Sequence, residues 1–209
     1  MKRPRPPTKL VEFDPHGSFV RSRQVEKWLR ATFLMPEGKL HNPDHEHLQE
    51  SSVGVLWTNV DHRRRQREVV GQAEIPQPPT MVNAWAKARW RQQMRGFFGD
   101  VLPDFIITLS APYSAQAEDY VFCALVEHEL YHCAQKRDEF DCPKFRRDGK
   151  PVYGILGHDV EEFVGVVRRY GANAGGGAVA ALVAAAREEP TIGAAQIAAA
   201  CGTCGARLS

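Results

Sequence analysis

The chain has 209 residues, 43% of them hydrophobic and 25% charged, with a formal net charge of +2. That composition suits one globular domain with appendages, and it gives no overall electrostatic pull toward nucleic acid or a membrane. Five cysteines, an odd number, and a basic start (MKRPRPPTKL) with no apolar segment behind it favour a reducing cytoplasm over a disulfide framework or a secretory signal.

Residues 1–20, rich in Pro, Lys and Arg, read as a tail. From Ser22 to Leu34 the apolar residues Val25, Trp28, Leu29 and Phe33 recur at helical spacing, and Pro36 and Gly38 end the helix. Asn42-Pro43-Asp44 is a turn into a short helix through His47 and Leu48. VGVLWTNV (53–60) and REVVGQAEI (67–75) read as strands, with the basic run DHRRRQ as the tip of a hairpin between them. Residues 81–98 form a helix with Trp85, Ala88 and Met94 turned inward. DFIITLS (104–110) is a third strand. Ser114 is placed to cap a helix that runs to about Lys136.

Residues 137–150 are a charged loop, and PVYGILG (151–157) is a short strand. His158-Asp159 opens a helix to Tyr170, with Asp159 and Glu162 at capping-box spacing. The composition then shifts to Gly and Ala. This predicts a domain over 21–172 and a Gly/Ala-rich tail over 173–209, with short helices at 177–189 and 192–200. Arg187, Glu188, Glu189 and Pro190 interrupt that tail, so it is no membrane span.

The chemistry concentrates in ALVEHELYHC (124–133). His128-Glu129-Leu130-Tyr131-His132 matches H-E-x-x-H. On a helix, positions four apart share a face, so both imidazoles reach one ion. Zinc takes imidazole nitrogen readily and keeps one position open at a catalytic site. Glu129 then stands beside the metal as general base and acid. A catalytic zinc needs a third protein ligand. His158 is the first choice, with Glu161 and Glu162 as alternatives. Asp159 and Glu162 are candidates to orient the imidazoles by hydrogen bonds.

In the order DFIITLS, ALVEHELYHC, GHDVEEFVGVVRRYG, with HNPDHEHL, VGVLWTN and WAKARWRQQMRGFFG upstream, the chain resembles the putative phage metallopeptidase family over roughly residues 22–172. Gly157, His158 and Phe163 are also similar, more distantly, to the third-ligand segment of SprT-like zinc proteases. Those place the aromatic four residues after the histidine rather than five. The resemblance implies an α+β, zincin-like core of the minigluzincin and SprT type. Its parts would be a small antiparallel or mixed sheet, an active-site helix and a second helix carrying the third ligand. It further implies that an extended protein or peptide substrate adds to the strand DFIITLS.

Weaker signals remain. His41, His45 and His47 cluster, but a solvated turn explains them without a second metal. Cys201 and Cys204 form one CxxC. A single CxxC is a weak signal: it reads first as a free-thiol tail, and only with Cys142 or a second chain as the half of a zinc ribbon that the SprT-like resemblance suggests. Arg63, Arg64, Arg65 and Arg67, with Lys87, Arg89, Arg91 and Arg95, are basic enough to suggest DNA contact, as in proteases that act on DNA-bound proteins, or simply a solvated face. A DNA-associated zinc module without catalysis is therefore the competing reading.

Overall fold

A computed structural model describes residues 3–64, 67–158, 160, 167–169, 171–172, 177–192 and 200–201. Its centre is a mixed sheet. Strand β1 is Phe19–Arg21, β2 Val53–Thr58, β3 Arg63–Arg64, β4 Arg67–Glu74 and β5 Phe105–Ser110. The order across the sheet is β1-β2-β5-β4-β3, with a further strand, β8 (Ala200–Cys201), also on β4. Strand β5 runs parallel to β2 and antiparallel to β4.

This order corrects two expectations. β2 and β4 do not form a hairpin, because β5 lies between them; the short hairpin is β3–β4, with Arg64 opposite Arg67. β5 is also not an edge. Both of its backbone flanks are paired, so no substrate strand can add to it. The sequence carries the physical reason: FIITL is apolar on both faces, the pattern of a central strand. Phe105, Ile107 and Leu109 face one core; Ile106 faces another.

The first core is closed by helix α1 (Arg23–Leu29), the π-type turn Arg30–Leu34 that continues it, and helix α4 (Asp119–His132). Val25, Leu29 and Phe33 from the first two meet Phe122, Leu125, Val126 and Leu130 from α4 over the sheet. Each such side chain, fully buried, contributes about 1.5–3 kcal/mol. Ser22 caps α1, its Oγ accepting the Val25 N–H.

On the opposite sheet face lies helix α2 (Ala84–Phe98), which packs mainly through its last turns, Met94 and Phe98. Trp85, expected inward, is 87% exposed, and Ala88 is exposed too, because the first turns of α2 extend past the sheet.

The segment before α4 also differs from expectation. Helix α3 (Ala111–Gln116) is separate from α4, and Ser110 caps it rather than Ser114, which is buried. At the other end, α4 stops at His132 and the chain passes directly into β6 (Cys133–Gln135), which pairs antiparallel with β7 (Tyr153–Ile155). The charged residues between them form a long excursion bridged at Arg137–Pro143 and Phe145–Pro151.

The Pro-rich start is packed rather than loose. Leu10 enters the main core. Arg3 is buried and donates to the carboxylate of Asp119 at 2.9 Å and to the Ser114 carbonyl at 2.8 Å, with its guanidinium over the Phe122 ring. In the Gly/Ala-rich part, helix α5 spans Gly177–Ala185. The helix expected over 192–200 lies mostly outside the described residues, and Ala200–Cys201 is extended. Among the described residues no helix is long and apolar enough to cross a membrane.

Candidate metal centre

Helix α4 presents His128 and His132 on one face, one turn apart. The Nε2 atoms of the two rings are 3.3 Å apart. His158, three residues beyond the end of β7, brings its Nε2 to 3.5 Å from that of His128. Among the described residues, these three form a group able to hold a metal ion, with all ligand atoms within 4.8 Å of one another. Nitrogens bound tetrahedrally to zinc at 2.0–2.1 Å sit about 3.3 Å from each other. The observed spacing therefore fits one small cation.

The electrostatics agree with that geometry. Burial, helped by the neighbouring His132 and His158, brings the His128 pKa down to about 4. Burial also lowers that of His132, against the opposing effect of its bond to Leu156. Neutral imidazoles are what a metal requires. The ring of His132 is fixed by its other nitrogen: Nδ1–H donates to the Leu156 carbonyl at 2.6 Å, which leaves the Nε2 lone pair for the cation. In return, the Leu156 N–H donates to the His132 carbonyl at 2.9 Å.

Glu129 points about 100° around the helix from His128, toward the sheet. Its side chain is fully buried. The carboxylate rests on β4 at Gly71: a methyl group placed there would lie 2.6 Å from Glu129 Oε1 and 3.0 Å from Leu125 Cδ1. β4, not β5, is thus the strand beside the Glu129 carboxylate. Its outer edge pairs with β3 at Arg67 and Glu68 and with β8 at Val69 and Gly71.

The structure brings together His128, His132 and His158 and places Glu129 beside them. Asp159, Glu161 and Glu162, the remaining ligand and orienting candidates, lie outside the described residues, as do Cys204 and Arg65; Cys201 lies on β8. The orienting acceptor for His132 is instead a backbone carbonyl, which no sequence pattern announces. Gly71 did carry a signal: a glycine inside a strand marks close approach of another group.

The turn at residues 41–47, expected to be solvated, buries His45 and engages His47. His47 Nε2–H donates to the Cys133 carbonyl at 2.7 Å, and His45, buried, packs edge-on against Tyr131 at 4.6 Å. The Tyr131 hydroxyl donates to Asp44, and Asn42 donates to Glu127 and Tyr131, so this turn is bound to the outer side of α4. Burial brings the His45 pKa to about 4. Of the arginines, Arg63 and Arg64 are on β3, Arg67 begins β4, and Arg89 and Arg91 are exposed on α2; Arg63 pairs with Asp61.

Fold and site together define an α+β domain with an H-E-x-x-H helix and three imidazoles spaced for one metal ion. The model of the putative phage metallopeptidase family matches residues 26–187, and the chain belongs to that family. No curated protein and no solved structure matches it.

Proposed function

We propose that this protein is a zinc-dependent metallopeptidase, phage or prophage encoded, that hydrolyses peptide bonds in the cytoplasm of a bacterial host. The observation that carries the reading is the convergence of the three Nε2 atoms, at 3.3 and 3.5 Å, around the helix that also presents Glu129. His128, His132 and His158 hold the ion. A bound zinc supplies Lewis acidity, which acidifies water and polarises an amide carbonyl. The Glu129 carboxylate accepts the proton of the attacking water and delivers it to the leaving amine. Gly71 lets that carboxylate sit against β4.

An extended substrate would add to the outer edge of β4, the strand that borders Glu129, by taking the place of β8 at Val69 and Gly71. Main-chain hydrogen bonds to an edge strand recognise a peptide largely independently of its side chains. On this reading the site is of the zincin type, similar in the order of its parts to that of SprT-like proteases.

The test is the Glu129→Gln variant. It is expected to retain one zinc per chain by metal analysis and to lose cleavage of a fluorogenic peptide library by at least about a thousandfold. Full cleavage in that variant would sink the reading. So would wild-type protein that is loaded with zinc yet cleaves nothing and still binds duplex DNA in a salt-sensitive way.

A further inference from the structure

The sheet has a second functional-looking face. Between α2 and the sheet lies a cavity of about 390 Å³, walled by Trp90, Met94 and Phe97 of α2 and by Phe19 and Leu56 of the sheet. Thr108 of β5 forms part of its floor, whereas its neighbours Ile107 and Leu109 belong to the core beneath α4. Side chains alternate along a strand, so the cavity opens on the side of the sheet away from the three imidazoles. The peptidase reading meets it only along β4, whose Val69 and Gly71 also line it.

Its charge is one-sided. Among the described residues no Lys or Arg lines this cavity; the titratable residues that do are Asp61, His62 and Glu74. Glu74 is half-buried, and desolvation raises its carboxyl pKa. No hydrogen bond or ion pair holds that carboxylate among the described residues. A desolvated carboxylate without a partner is costly unless something offsets it. Aromatic rings at Trp90, Phe97 and Phe19 line the same space, and ring faces attract cations. The volume falls within the range of small-molecule sites.

We infer that this cavity binds a small organic cation, an ammonium or guanidinium on an apolar stem, with Glu74 as its counter-charge and the α2 aromatic rings around the stem. The cavity shares Gly71 with the wall behind Glu129 but needs no metal ion, so its failure and the failure of the peptidase reading are separate outcomes.

The test is calorimetric titration of the full chain with phenethylammonium and with its neutral analogue 2-phenylethanol. Saturable binding of the ammonium is expected, at least about tenfold tighter than the alcohol, and unchanged when the protein is first treated with a chelator. Glu74→Gln, close to isosteric, is expected to abolish the tenfold preference while zinc content and peptide cleavage stay at wild-type levels. Trp90→Leu provides a second check: it is expected to weaken the ammonium about threefold to fivefold and the alcohol less. Equal affinity for the two probes would overturn the inference, as would ammonium binding that survives Glu74→Gln. N-acetyl-arginine amide carries the same type of head group on a peptide unit. If it alone binds, the occupant is a protein side chain, and the proposal of a free cation fails.

Discussion

Gly71→Ala gives a sharp test of how Glu129, the proposed general base, is positioned. In a strand, alanine is ordinarily no worse than glycine and costs less conformational entropy on folding. Here the added methyl would meet Glu129 Oε1 at 2.6 Å, whereas ordinary contact begins at 3.4 Å, so one of the two must retreat by about 0.8 Å. Leu125 Cδ1 at 3.0 Å blocks a second direction of escape. β4 is held in the sheet by its pairing with β5, so the carboxylate is the group that moves. Misplacing a catalytic group by about 1 Å costs roughly a hundredfold in rate.

The expected result is therefore a fall of about a hundredfold in kcat, KM within about threefold of wild type, and one zinc still bound. Steady-state kinetics on a cleaved library peptide, with metal analysis of the same samples, reads all three. Shortening the side chain in the double variant Gly71→Ala/Glu129→Asp restores room, so its kcat should exceed the product of the two single effects. A Gly71→Ala enzyme with wild-type kcat and its zinc in place would refute the positioning argument.

Other consequences are equally accessible. His158→Ala should weaken zinc binding by more than about a hundredfold in a competition titration, while Glu161→Gln and Glu162→Gln change it little; the reverse pattern would make a glutamate the third ligand. His45 has a folded pKa of about 4 against 6.5 unfolded, so its contribution to stability is complete above pH 6.5 and is lost as the pH falls toward 4. Urea unfolding of the metal-free protein should show about 2 kcal/mol lost between pH 6.5 and 5 from this group, and a shallower slope in His45→Phe; identical slopes would contradict the assignment. Arg3→Ala removes a buried cation from Asp119 and the Ser114 carbonyl, and should cost about 2–4 kcal/mol by denaturant titration; a loss below about 0.5 kcal/mol would mean the N-terminal segment is not docked in solution. Ending the chain after residue 192 removes β8 from the β4 edge at Val69 and Gly71, and on the proposed substrate path KM should fall; an unchanged KM would place the substrate elsewhere.

The histidine pair of α4 was legible because its geometry is local: two histidines one turn apart on a helix share a face whatever surrounds them. β5 was legible as a strand for the same reason. Its position was not, because pairing order depends on contacts between segments far apart in sequence. That is why a central strand passed for an edge, and why β2 and β4 passed for a hairpin. Trp85 misled because helical spacing shows which residues share a face, but not how far along the helix the sheet extends. Arg3 and Leu10 sit in a Pro-rich, basic stretch of the kind that composition assigns to solvent, yet a partner at Asp119 and an apolar site in the core hold them. The end of α4 at His132 was hidden because nothing near Cys133 breaks a helix; the partner strand Tyr153–Ile155 does so from a distance.

That partner strand also acts as a ruler. Cys133 pairs with Ile155, so His132 and His158 are each tied to the same rung of a two-strand ladder, one residue before it on one side and three after it on the other. The distance between the ligands is therefore set by strand register and not by the length of the excursion over residues 137–150. Residues can be added or removed near its exposed tip at Asp148 and Gly149 without moving the imidazoles, whereas slipping the ladder by one residue would turn every side chain of β7 to the other face. The excursion is the place on this domain where new sequence, an epitope or a targeting segment, can be installed next to the metal centre without dismantling it.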